Sequence, residues 1–331
     1  MFILNPTLVI QDQRTDYLIE DHVVKLRFHG DSAELCRRVL PVLDHCQEFN
    51  ELASLSGYSP ATLRKFLSIL EADNLALALT DLKRLRGRRL ITKIRLAATF
   101  WNKCIMAHAL PTRLFRGEAV REEVLGWGIE FYFFIRAANE YMARGSARIS
   151  GPTHAISGLW QHYADEALHD GIFLSGLVGC GFTAEDIANR PPLASTLALL
   201  NHLYETSEDG ALEYAALFAV MQPLTERPTT TEIATRYQFL RDCYPFARTL
   251  FDAFERHDDI DASLGHSKLL LEQISEVFEP VETRTVSKLF SIIENTANYF
   301  ILFFEGILRH YRGSRTVSYR QVPNALAAVH R

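Results

Sequence analysis

Cysteine is scarce in this chain. Cys36, Cys46, Cys104, Cys180 and Cys243 are odd in number, scattered, and never arranged as CxxC. That excludes a zinc ribbon and argues against a disulfide framework, so a reducing, cytoplasmic compartment is expected. Long apolar runs are also missing. The best stretch, residues 299–308, is broken by Glu305 and Gly306 and falls short of the roughly 18 residues that a bilayer-spanning helix needs; no membrane partner is expected. The first residues have neither a basic segment nor a small-residue cleavage site, so a secretory signal is not expected there. Positive charge is not in excess either: 35 Lys and Arg face 40 Asp and Glu, a net −5, which counts against a protein built to grip nucleic acid. No repeat or low-complexity segment is seen. With 48% hydrophobic and 23% charged residues the composition is that of a folded globular chain. Its 331 residues exceed what one core usually organises, and two domains are expected.

What the chain does have is histidine, twelve in all. Histidine is the commonest neutral-pH metal ligand and proton shuttle, so the placement of these residues is the question. Before them comes a region with its own pattern. Residues 8–10, 17–19 and 23–28 are short β-rich runs, with the partial alternation of half-buried strands. Helical patterns follow over 31–43 and 47–55; the second stops at Gly57, a natural left-handed terminator. Ser59 and Pro60 then form an N-cap and N1 pair that starts a third helix.

This spacing resembles a winged helix-turn-helix, with Arg64 and Lys65 where DNA contacts would fall. Acidic and basic residues balance over 1–90, which is poor for counterion release. Strands followed by three helices also resemble the recognition modules of peptide-modifying enzymes, which hold a leader peptide as an added strand. Peptide docking, DNA binding and plain structural packing stay open. The basic run 83–95 reads as a solvated junction and the first turn of the next helix.

From residue 90 the pattern is almost wholly helical, with helices expected at 91–108, 118–143, 152–178, 194–206, 210–222, 230–256, 265–279 and 284–311. Bundles of this kind often build metal sites from facing side chains. His162, Glu166 and His169 are spaced i, i+4 and i+7, so one helical face would present all three. Glu166-x-x-His169 is a spacing by which one helix gives a carboxylate and an imidazole to the same metal. Some ninety residues on, His257 and Asp261 are also i, i+4, whereas His266 could converge with them only if the helix bends near Ser263 and Gly265. Each cluster also has a bland reading, as a satisfied core group or an acidic surface turn. The GLVGCGF run at 176–182 is a Gly-rich helix end with no preceding strand, hence not a dinucleotide fingerprint.

Taken together, the clusters resemble the haem-oxygenase-like di-metal oxidases, iron enzymes with the helical fold of haem oxygenase and no haem. The resemblance spans roughly 95–312. It implies that His169 is the first-helix histidine, with Glu166 as its carboxylate and His162 at the position where the family often places that group. It further implies that His257, Asp261 and His266 are the third-helix ligands, His266 with two extra residues in the spacing. The second-helix carboxylate falls on Gln222, or one turn later on Glu226. The implied cofactor is iron, two ions, the second depending on that position, since an amide is a poor ligand for a hard iron centre. Glu166, His169 and His257 would be the catalytic groups, with Asp165, Asp170 and Asp258 as candidates to orient the imidazoles. The aromatic run 130–142 would wall out water, and within it Glu130, Arg136 and Glu140 are candidate contacts for a substrate carboxylate or ammonium.

The fold expected is mainly α: a small α+β winged-helix-like domain (1–85), a haem-oxygenase-like bundle (86–315) and a tail (316–331). The function expected is dioxygen-dependent oxidation of an amino-acid-like molecule, or of a residue on a leader or carrier peptide, by a chain that could pair as a homodimer. Two rivals remain. One is a metal-free oxidase or hydrolase of the same fold, and the other a DNA-binding regulator with a helical sensor.

Overall fold

The computed structural model describes residues 2–5, 8–20, 25–43, 45–46, 48–73, 75–78, 87–148, 153–222, 229–263, 270–271 and 283–312. Among them the fold is mainly helical, with a small strand-containing region at the start.

That region begins with β1 (Phe2–Leu4), followed by an antiparallel meander of β2 (Val9–Asp12), β3 (Asp16–Glu20) and β4 (Lys25–His29), in the order β2-β3-β4. Tyr17 pairs with Phe28 and Ile19 with Leu26. Because side chains alternate across a strand, Tyr17, Ile19 and Phe28 all reach one apolar cluster. Three helices cover it: α1 (Asp31–Leu43), α2 (Phe49–Ser56) and α3 (Pro60–Ala72). As expected, Gly57 closes α2 at φ 77° and Ser59 caps α3 by accepting the Thr62 N–H at 3.2 Å. The pairing of β1 with β5 (Ala76–Ala78) is not foreseen in the sequence. Across β1, Phe2 enters the N-terminal cluster while Ile3 enters the core of the helical region.

The remaining elements are α4 (Gly87–Met106), α5 (Ala109–Phe115), α6 (Arg121–Arg148), α7 (Thr153–Glu166), α8 (Asp170–Gly179), α9 (Ala184–Ala188), α10 (Ala194–Ser207), α11 (Ala211–Phe218), α12 (Thr230–Cys243), α13 (Arg248–Ser263) and α14 (Thr283–Tyr311). Helix α6 is the axis. Its Phe134 and Tyr141 belong to one apolar cluster and its Ile129 and Phe133 to the other. Gly126 and Gly128 leave no room for a Cβ, against the Tyr311 ring and Leu250 respectively, so α14 and α13 approach α6 closely.

Two expected helices are each divided. The 152–178 pattern breaks between Glu166 and Asp170, and the 230–256 pattern breaks at Pro245, where a short 3₁₀ turn (Pro245–Ala247) separates α12 from α13. Proline lacks the N–H that would continue the helix, so the second break has a local cause. The expected helix at 265–279 lies almost wholly outside the described residues, as do His266, Glu226, residues 83–86 of the basic run and the tail at 316–331. Among the described residues no helix is long and apolar enough to cross a membrane.

Candidate metal centre

Glu166, His169, His257 and Asp261 each offer a ligand atom, and the four atoms lie within 4.8 Å of one another. Among the described residues this is the sole group of three or more His, Cys, Asp or Glu that close together. Glu166 Oε2 is 3.4 Å from His169 Nδ1 and 4.0 Å from His257 Nε2, and His257 Nδ1 is 3.5 Å from Asp261 Oδ2. The two imidazoles meet edge-to-face with centroids 4.9 Å apart. The i, i+4 spacing of His257 and Asp261 on α13 works as the sequence predicts.

Glu166 and His169 come together differently from expectation. They do not share one helix; α7 ends at Glu166 and His169 is the residue before α8. Between them Leu168 adopts φ 69°, and its side chain is 78% exposed. A left-handed conformation costs a non-glycine residue about 1–2 kcal/mol, so something must hold it. That something is Asn139 on α6. Its Oδ1 accepts the Leu168 N–H at 2.8 Å, and its Nδ2 donates to Asp170 Oδ1 at 3.0 Å. One amide thus clips both sides of the break and aims His169 back at Glu166.

The electrostatics agree with this closeness. Burial pushes the Glu166 carboxyl up, but His169 beside it and the charges of His162 and His257 pull it lower on balance. His169 is raised, chiefly by the Glu166 carboxylate, with burial opposing. His162, one turn before Glu166, is buried and packs edge-on to Phe218 at 4.6 Å. It lies outside the four-atom cluster but lines the same cavity as Glu166, His257 and Asp261.

That cavity, about 340 Å³, is otherwise walled by apolar side chains of α4, α6, α11 and α14. Gln222 stands on its wall, its Oε1 accepting the Leu270 N–H at 2.7 Å. Of the two second-helix positions considered, Gln222 is thus at the cavity, and Glu226 lies outside the described residues. Tyr141 and Asn102 line it as well. Asn102 and Asn139 are the participants that the sequence reading missed; uncharged amides leave no spacing signal.

The three residues expected to contact substrate are elsewhere. None lines the cavity. Glu130 is buried and accepts hydrogen bonds from the Leu193 N–H and the hydroxyls of Thr196 and Tyr311. Arg136 is exposed. Glu140 is exposed, paired with Arg144 and hydrogen-bonded by the Tyr204 hydroxyl. Of the candidate orienting carboxylates, Asp170 is held by Asn139, Asp258 accepts from the Tyr237 hydroxyl at 2.8 Å, and Asp165 accepts from Gln161.

Two imidazoles and two carboxylates converging at this separation form a donor set that suits a divalent first-row transition metal, ferrous iron included. Groups that fix metal ligands typically matter about 10–100-fold in metal affinity. Asn139→Ala is therefore expected to weaken ferrous-ion binding by about that factor, measured by anaerobic titration, with little change in helix content.

The protein-family models give no match to the chain, and the curated proteins give none either. Solved structures do. A domain of unknown function with a haem-oxygenase-like fold, from Shewanella denitrificans OS217, superposes with a TM-score of 0.55 at 19% identity, over 69% of this chain and 96% of the other. A TenA homologue from Pseudomonas syringae pv. tomato gives 0.51 at 13% identity, over 66% and 93%. The helical fold is thus haem-oxygenase-like. About a third of this chain lies outside each match.

Proposed function

We propose that this chain is a non-haem iron oxidase or oxygenase that uses dioxygen. The convergence of Glu166, His169, His257 and Asp261, of which Glu166, His257 and Asp261 line an apolar cavity, supports this reading most directly. Glu166, His169, His257 and Asp261 would hold one ion; a second would draw on His162 and Glu166 together with the 222–226 segment. Ferrous iron bound there supplies the electrons and open coordination positions that dioxygen chemistry requires. The residues do the rest. Asn139 holds the Glu166–His169 break in register, His162 adds a third imidazole near Glu166, and the aromatic walls keep water from the reacting atoms. Gln222 in place of a carboxylate favours tighter binding of the first ion than of the second.

A second reading, a metal-free enzyme of the same fold, is supported by the Glu166–His169 pair itself. A lowered carboxyl 3.4 Å from a raised imidazole is an acid–base couple. The test is iron stoichiometry of the full chain reconstituted anaerobically with ferrous ion, together with dioxygen uptake. One to two irons per chain and iron-dependent uptake are expected; absence of bound iron with the fold intact would leave the acid–base reading.

For the N-terminal region we propose docking of a leader or carrier peptide. Among the described residues β4 is paired on one side alone, which leaves an edge where a strand could add. The balanced charge of residues 1–90 supports peptide over DNA as the partner.

A further inference from the structure

The substrate expected from the sequence is an amino-acid-like molecule or a residue on a carrier peptide, with Glu130, Arg136 and Glu140 as candidate contacts for a carboxylate or ammonium. With all three outside the cavity, the walls themselves define what fits. Among the described residues no Lys or Arg lines the cavity, and the carboxylate and imidazole side chains that do are His162, Glu166, His257 and Asp261. Away from them the surface is aromatic and aliphatic. Phe131, Phe134 and Ile135 come from α6, Phe300 and Phe304 from α14, and Met106 from the end of α4.

The remaining polar wall groups, Asn102, Gln222 and the Tyr141 phenol, are uncharged. Asn102 donates its amide N–H to the Val220 carbonyl at 3.0 Å, and Gln222 uses its oxygen on the Leu270 N–H. Those bonds leave Asn102 an acceptor oxygen and Gln222 a donor NH₂. Such a pair can read a hydroxyl, carbonyl or amide, but it cannot neutralise a carboxylate or an ammonium. A charged group buried without a partner is costly, whereas an apolar body in such a cavity is favoured. The volume, about 340 Å³, is at the small end for ligand sites, which run from about 300 to 1,000 Å³. Met106 lines the cavity and is 41% exposed, which marks the mouth.

We infer that the cavity binds a small, uncharged molecule with an apolar aliphatic or aromatic body, and not a zwitterionic amino acid. The inference rests on the reading of the Glu166 cluster as the reactive centre. Its test compares octan-1-ol with 2-aminooctanoate, which has a similar chain and a zwitterionic head, by calorimetry on the full chain with and without ferrous ion, anaerobically. The alcohol is expected to bind the metal-free chain at least about tenfold more tightly, since no Lys or Arg among the described wall residues partners the carboxylate and a desolvated charge without a partner is strongly disfavoured. Ala138→Phe, which fills the cavity from α6, and Met106→Trp, which narrows the mouth at an exposed position, should each remove alcohol binding and leave iron stoichiometry unchanged. Equal or tighter binding of the amino acid to the metal-free chain, no binding of the alcohol, or alcohol binding that survives both substitutions would overturn the inference. Because metal-free protein is measured too, loss of the iron reading and loss of the substrate reading are separate outcomes.

Discussion

Glu166→Gln is expected to cut ferrous-ion affinity by more than about 100-fold, beyond the range typical of groups that merely support a ligand. The reason is geometric. Glu166 Oε2 reaches both His169 and His257, at 3.4 and 4.0 Å, so it joins the α7–α8 half of the cluster to the α13 half. An amide of the same shape leaves a neutral group among the imidazoles, and amides are poor ligands for hard divalent ions. The fold should persist, since Glu166 is half-buried at a helix end and belongs to neither apolar cluster. Circular dichroism should thus be unchanged while bound iron, measured by elemental analysis, falls to background. Activity alone would not discriminate, because an acid–base enzyme would also fail without this carboxylate. Iron that stays bound at full stoichiometry in the variant would place the metal elsewhere.

The centre was only partly legible in the sequence, and the reason differs from residue to residue. His257 and Asp261 were readable because α13 is regular and a helix places i and i+4 on one face. Glu166 and His169 were found by the same rule, although the helix on which it relied ends at Glu166. No proline or glycine lies in the Ala167–Leu168 break, and an exposed leucine is a poor candidate for a left-handed position. The turn exists because Asn139, some thirty residues away, captures its N–H; such a tertiary cause leaves no local trace. The split at Pro245 is the opposite case, a plain local signal within a strongly periodic stretch. The β1–β5 pair escaped because three-residue strands more than seventy positions apart have no periodicity to detect. Gln222 was visible as a position but not as an occupant, since only the folded chain shows it on the cavity wall.

Glu130→Ala is expected to destabilise the fold by about 3–5 kcal/mol without altering iron stoichiometry, and the reason lies in a helix that cannot cap itself. Helix α10 starts after Leu193, whose side chain offers no acceptor. The Glu130 carboxylate replaces the missing cap, taking the Leu193 N–H at 3.1 Å and the Thr196 hydroxyl at 2.5 Å, while the Tyr311 hydroxyl adds a contact at 3.3 Å. It thereby joins α6 to the start of α10 and the end of α14. Hydrogen bonds to a charged group contribute about 1.5–3 kcal/mol each, a lost cap costs about 1 kcal/mol, and truncation also leaves a cavity. Partial relaxation and water entry keep the total below their sum. Burial raises the Glu130 carboxyl, with the Thr196, Leu193 and Tyr311 donors opposing. The sign follows: a folded-state pKa above the unfolded value means stability is fully present below the ordinary 4.5 and declines as pH rises through the raised value. Glu130→Gln keeps an acceptor for the Leu193 N–H and cannot ionise. Its chemical-denaturation midpoint should fall far less than that of the alanine variant, and its stability should lack this decline with pH. Were Glu130 instead a substrate contact, alanine would lower turnover and leave the unfolding midpoint in place.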